Sequence, residues 1–323
     1  MRTTKFAIIF VLIMLPFFWI NRLQVQEQMF KLQTEMKYNY ALDTAVDDAA
    51  LTLKSSAIWK KTEESYESPK RLELRKEDAL QAFFYTLYLN FDIVDDPISQ
   101  NQLKHYLPAV AIIGYEAFDL YVEEEFAAIN GESKLQHIWK PTTPYTYTDT
   151  LGNVFSFTLD NYVSIYLPAA DSWIKGYQRE LKYSSALPLL QDDEHFDAIR
   201  RITIINTIQD ALERAINKHN EWASRNGVSY TFTLPTISNE EWNNTIDDVG
   251  FVAFIQGLPI GHSTYNNYAL GGSRLLKAKV LYGTTINGIK YAFPQNCAPA
   301  SVEETFSTEK EAAQNGYYVK RCY

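Results

Sequence analysis

The chain has 323 residues, of which 46% are apolar and 14% aromatic, enough to build a sizeable core and to exclude a globally disordered protein. Its formal net charge of −9 and the absence of any dense Lys/Arg block exclude binding to nucleic acid through phosphates, which needs a basic face. The same acidity keeps the body off an anionic lipid surface, so any membrane contact is expected from a dedicated segment.

The start of the chain supplies one. Phe6 to Ile20 reads FAIIFVLIMLPFFWI, preceded by Arg2 and Lys5 and followed by Asn21-Arg22. A secretory signal shares the basic start and short apolar run, but no pair of small residues follows for cleavage, which favours an uncleaved transmembrane anchor over residues 1–22 in contact with membrane lipid. The basic residues then place the N-terminus in the cytoplasm and the rest outside, as a single-pass extracytoplasmic protein.

From Leu23 to about Lys60 there is no Pro or Gly, and Gln, Glu, Lys, Ala and Leu dominate, so a stalk helix over residues 23–60 is expected. Val25, Met29, Leu32 and Met36 recur at steps of four and three, and Leu42, Val46, Ala49 and Leu53 repeat the spacing on a shifted register. Packing on the protein's own body and packing against partner helices both fit this stripe.

Thr62 to Pro69 breaks the helix, and Lys76 to Phe91 resumes it, with Leu80, Phe83, Phe84, Leu87 and Phe91 on one side. Val110 to Tyr115 and Phe118 to Val122 suit a hairpin. A second is expected over Tyr145 to Thr158, where Asp149 to Asn153 (DTLGN) supplies the turn. His195 to Asn226 has the apolar spacing of a long helix, stopped by Asn226-Gly227. Val228 to Leu234 alternates as a strand, Ser238 to Glu241 has the S-x-x-E form of a capping box, and Phe251 to Ile255 reads as a strand. A last hairpin is expected from Leu275 to Tyr282 and Ile289 to Phe293 around Asn287-Gly288. Helices and strands mix without regular alternation, so the fold class is α+β, a largely antiparallel mixed sheet packed with helices. The body is assigned to residues 61–289 and a C-terminal cysteine module to 290–323.

Candidate chemistry is sparse. Of the five histidines, no two stand at a metal-ligand spacing, so no metal site and no cofactor are expected. Glu123-Glu124-Glu125 and Asp192-Asp193-Glu194 read as solvated charge runs, the second favouring a helix start. Asp43, Asp47 and Asp48 lie on an exposed stalk that offers no pocket for acid and base work, and Ser263 beside His262 lacks the G-x-S-x-G turn of a hydrolase. No catalytic residue is assigned. The most distinctive stretch is the Gly-rich loop Gln256 to Arg274, in which Gln256, Gly257, Tyr265, Asn266, Asn267 and Tyr268 are candidates for a ligand or partner surface. Cys297 and Cys322 are the only cysteines, and an outside location makes a disulfide between them the default, with two free thiols the alternative.

Lys290 to Cys322 is similar to small cysteine modules of the type Y-H-x-x-x-C, F-S-x-x-x-E-A, G-Y-x-P-C-x-x-C, through Tyr291, Cys297, Phe306, Ser307, Glu311, Ala312, Gly316, Tyr317 and Cys322. The layout of the first 60 or so residues, a basic start and one apolar segment running into a long helix, resembles the membrane-anchored pseudopilins and TadE-like proteins of tight-adherence pilus systems. That resemblance implies a structural or accessory subunit of a surface or secretion assembly, whose partners are other membrane or surface proteins. A ligand-sensing ectodomain and a membrane-anchored hydrolase are the alternatives.

Overall fold

The computed structural model describes residues 2–55, 58–59, 68, 70–127, 133–225, 237–272, 281–286, 288–294, 302–306, 312–313 and 315–320, with backbone alone at 2–9, 58–59, 72, 127, 133 and 294. The chain divides into two compact units, Met1–Ser273 and Arg274–Tyr323.

The first unit begins with helix α1 (Arg2–Ser55), the short strands β1 (Ile58–Trp59) and β2 (Leu72–Glu73), and helices α2 (Lys76–Phe91) and α3 (Pro97–Lys104). Strands β3 (Ala109–Ile113), β4 (Ala117–Ala127), β5 (Ser133–Trp139), β6 (Thr143–Thr148), β7 (Val154–Phe157), β8 (Tyr162–Leu167) and β9 (Ser172–Tyr177) follow. Helices α4 (Gln178–Ser184), α5 (Pro188–Gln191), α6 (Asp193–Arg225) and α7 (Asn239–Ile246) lead to the hairpin of β10 (Gly250–Ile260) and β11 (Ser263–Gly272). The main sheet runs β11-β10-β3-β4-β6-β7-β8-β9, with β5 also paired to β4, and every recorded pairing in it is antiparallel.

Helices cover both faces of the centre of this sheet, which explains why β3 is apolar without alternation and buried at every position. Ala109, Ala111 and Ile113 join one core with Ile204, Ile208 and Leu212 of α6 and Trp242 of α7. Val110 and Ile112 join the other, with Leu42, Val46, Ala49 and Leu53 of α1 and Phe83 and Leu87 of α2. Phe83 and Phe251 of β10 bring their rings within 5.1 Å, and Thr86 on α2 donates to Asp48 on α1 at 2.6 Å. The two ends of α1 thus differ: Ala41 to Leu53 is packed into the body, whereas Val25, Met29, Leu32 and Met36 stand 55–69% exposed. The helix ends at Ser55, short of the expected Lys60.

Several expectations are corrected. Among the described residues no helix is long and apolar enough to cross a membrane. The apolar run Phe6 to Ile20 covers only about 22 Å of helix against a hydrocarbon core about 30 Å thick, and Asn21 and Arg22 follow at once. The single-pass anchor over residues 1–22, its lipid contact and the resulting placement across a membrane are therefore withdrawn. No disulfide occurs among the described residues, and Cys297 and Cys322 both lie outside them, so the expected bridge is set aside. Val228 to Leu234 also lies outside the described residues. Gln256 to Arg274 is not a loop over its described length: Gly257 (φ 78°) sits at a β-bulge, Gly261 (φ 57°) at the turn, and the two strands pair on either side.

The second unit is a small sheet of β12 (Leu281–Ile286), β13 (Ile289–Pro294), β14 (Glu304–Phe306) and β15 (Tyr318–Val319), in the order β14-β12-β13-β15. Leu281, Ala292, Phe306, Ala312 and Tyr317 form its core. A hairpin of β12 and β13 turns at Gly288 (φ 83°), but its first strand runs on to Ile286 instead of ending at Tyr282. Residues 275–280 of the expected strand lie outside the described residues, and the unit begins before the boundary expected at residue 290.

Candidate functional site

The most unusual chemistry of the molecule lies where β4 outruns β3. The β3–β4 ladder ends at Ala109↔Val122, and the next residue on β4 is Glu123, which stands directly across from His137 on β5. The Glu123 side chain is fully removed from solvent, yet three imidazoles face it. His105, the C-cap residue of α3, hydrogen-bonds Glu123 Oε1 through Nδ1. His137 Nδ1 lies 3.9 Å from the same oxygen. His219 of α6, 2% exposed, brings its Nδ1 to 3.1 Å from Oε2.

The packing around these groups fixes them. His137 is stacked on Tyr121 at 5.3 Å and lies with Nε2 3.3 Å from the Leu107 carbonyl oxygen. His219 sits one turn from Trp222 on the buried face of α6, their rings 6.5 Å apart. Glu123 Oε2 and His219 Nδ1 are both buried and have no aligned hydrogen bond among the described residues, despite their proximity. A buried carboxylate without compensation is costly, so the positive ends supplied by the imidazoles are what allow Glu123 to remain ionised there.

Titration follows from these contacts. Burial pushes the Glu123 carboxyl up, but His105, His219 and His137 together outweigh it and hold the group below the ordinary carboxylate range. The hydrogen bond to Glu123 raises His105 above the usual imidazole value despite partial burial. Burial lowers His137, and the attraction of Glu123 only partly offsets this. Of the remaining acidic triplet, Glu124 accepts from Lys140 and from Lys218 at 3.1 Å, while Arg225 donates to Glu125 at 2.5 Å. The Lys218–Glu124 and Arg225–Glu125 pairs rim a cavity of about 250 Å³ against His219 and Trp222.

Chemically, the cluster is one buried carboxylate faced by three imidazoles from three other elements. Among the described residues no group of three or more His, Cys, Asp or Glu side chains is arranged to hold a metal ion. This centre is not legible in the sequence, because Glu123-Glu124-Glu125 reads as a solvated run and the histidines at 105, 137 and 219 have no local spacing. The available signal was positional. Glu123-Glu124-Glu125 directly extends the apolar strand Phe118 to Val122, so one of the three had to point inward.

The residues singled out in the Gln256 to Arg274 stretch serve inside the molecule. Gln256 is fully buried, with Nε2 3.4 Å from Asn220 Oδ1. The Gly257 amide donates to Asn266 Oδ1 at 2.8 Å across the bulge. Tyr265 donates its hydroxyl to Asn39 Oδ1, and Asn267 donates to the same oxygen at 2.7 Å, so both fasten α1 to β11. Tyr268 reaches Glu241 Oε2 at 3.3 Å. Val25, Met29, Leu32 and Met36 lie together on the part of α1 beyond the body. Comparison with protein-family models, with curated proteins and with solved structures gives no match to this chain.

Proposed function

We propose that this chain is a structural or accessory subunit of a larger pilus-like or secretion assembly, in which the N-terminal half of α1 packs against apolar helices of neighbouring subunits. The observation that carries this reading is the division of one continuous helix into a docked half and a bare one. From Phe10 to Met36 the helix extends for about 39 Å, and Phe10, Trp19, Met29 and Met36 along it are 55–69% exposed. So much uncovered apolar surface on a single element marks an interaction site.

The pattern also indicates how it is covered. Phe10 to Ile20 is apolar all round, and such a helix calls for cover on every side. Val25, Met29, Leu32 and Met36 form a single stripe at steps of four and three, the pattern of a seam against one neighbouring helix. Docking then has two regimes along one helix: an inner segment enclosed by several partners and an outer stripe against one. The resemblance of this layout to TadE-like subunits supports the assembly reading. A ligand-sensing surface at Gln256 to Tyr268 has less support, because Tyr265, Asn266, Asn267 and Tyr268 already bond within the molecule.

The test replaces the stripe in the full chain with Val25→Glu, Met29→Glu, Leu32→Glu and Met36→Glu and compares complexes extracted from the native cells by size. The proposal expects the wild-type chain in a high-mass complex and the variant outside it, with the unfolding midpoint of the purified body unchanged. Retention of the variant in the same complex would overturn it.

A further inference from the structure

Four elements meet at Glu123: the end of α3 through His105, β4 through Glu123 itself, β5 through His137 and α6 through His219. The sequence separations are long, so no local element holds these groups together, and the contact among them is itself a tertiary tie. One carboxylate compensates one imidazolium. Among the described residues a second proton on the cluster has no further counter-ion within contact, because Glu124 and Glu125 are turned toward Lys140, Lys218 and Arg225. The other charged neighbours do not help: Lys104 of α3 adds positive potential at His137, and Tyr121 is a neutral ring stacked on it.

We propose that Glu123 with His105, His137 and His219 is a proton-operated latch, closed when the cluster carries one imidazolium and opened by acidification, which loosens the C-terminal part of α6 from β4. The two histidines on Oε1 act in opposite senses. His105 binds its proton more tightly in the folded chain, so its contribution is fully present below the free imidazole value near 6.5 and is lost as pH rises through its raised value. His137 is kept neutral by burial, so the unfolded chain takes up that proton first and stability is lost as pH falls below about 6.5. Glu123 adds a third loss at still lower pH, as its depressed value is reached from above. Stability therefore has a maximum with His105 charged and His137 neutral, and the acid limb begins in the range where imidazoles titrate rather than in that of ordinary carboxylates.

The cavity beside His219 gives the opening somewhere to begin. It already separates the C-terminal part of α6 from β4, and the pairs that span it, Lys218 with Glu124 and Arg225 with Glu125, are exposed on their cationic side, where such pairs contribute little. Once the buried tie at Glu123 is lost, these rim contacts and the apolar packing of Ile216 and Ala223 are what remain there.

The experiment is urea unfolding of the full chain from about pH 8 to about pH 5, for wild type, His137→Phe and His105→Gln. His137→Phe is expected to lose most of the decline between about pH 6.5 and 5, and His105→Gln most of the decline on the alkaline side. Profiles that run parallel to wild type in both variants would overturn the latch. Should either variant fail to fold, ring-proton NMR of the wild type decides: His105 titrating above and His137 below the free imidazole value supports it, and both at that value refutes it. Hydrogen exchange, corrected for its intrinsic pH dependence, supplies the local readout. Protection over Asp210 to Arg225 is expected to fall on acidification while α2 keeps its own, and equal loss in both would show general unfolding in place of a latch.

Discussion

Gly271 on β11 lies so close to Val46 on α1 that a Cβ on the glycine would stand 2.7 Å from Val46 Cγ1 and 2.9 Å from the Val46 carbonyl oxygen. This close approach lets the docked half of α1 lie on the sheet, and Ala45, Val46 and Ala49 are essentially without exposure beside it. Gly271→Ala is expected to destabilise the chain by about 1–3 kcal/mol in chemical denaturation through overpacking. Adding Val46→Ala should restore only part of this, because the backbone oxygen remains in the way.

The two stripes of α1 make opposite predictions for one substitution. Leu42 and Leu53 are fully buried, and Leu42→Ala or Leu53→Ala should each cost about 2–5 kcal/mol. Leu32 is 56% exposed, and Leu32→Ala should leave the unfolding free energy within about 0.5 kcal/mol of wild type. Urea midpoints of the three variants check the contrast.

Removing Glu123 leaves three imidazoles around an empty polar position. Glu123→Ala should cost about 3 kcal/mol at neutral pH, as for the loss of one partner from a buried charge pair. A cost near zero would mean that the carboxylate is not tied in the folded chain.

The start of α7 carries a complete capping box, with Ser238 accepting from the Glu241 amide and Glu241 accepting in return from the Ser238 amide. Ser238→Ala should cost about 1 kcal/mol. The Ser238 hydroxyl and amide hold the Glu241 carboxyl below the ordinary range, so its stabilising effect is present above the free carboxylate value and lost as pH falls through the lowered one. Ser238→Ala should remove that part of the acid-side loss, as seen in unfolding midpoints taken at descending pH.

What local sequence could show follows the reach of each signal. Lys76 to Phe91 matches α2 because one apolar face at helical spacing defines it, and DTLGN marked the turn between β6 and β7 because Asp149 bonds the backbone of Leu151 and Asn153. The mixing of helices and strands without regular alternation pointed to the α+β class, and the apolar runs at Val110 to Tyr115 and Phe118 to Val122 to the β3–β4 hairpin. The glycines at 257 and 261 suggested a loop because composition does not distinguish a bulge and a turn from an irregular segment. Glu123 was hidden for a different reason: its partners lie on three other elements, and only the register of β4 against β5 and the path of α6 bring them together. On α1 the repeat revealed an apolar stripe but not its occupant, and the body covers only the second register.

The central claim, that the bare half of α1 is a docking element, is tested most directly by placing a photo-crosslinking residue at Met29 in the full chain within its native cells, with Tyr183, 90% exposed on α4, as the control position. The account predicts a defined adduct with another subunit from Met29 and none from Tyr183. Recovery of the Met29 chain without an adduct, or an adduct from Tyr183 alone, would contradict it.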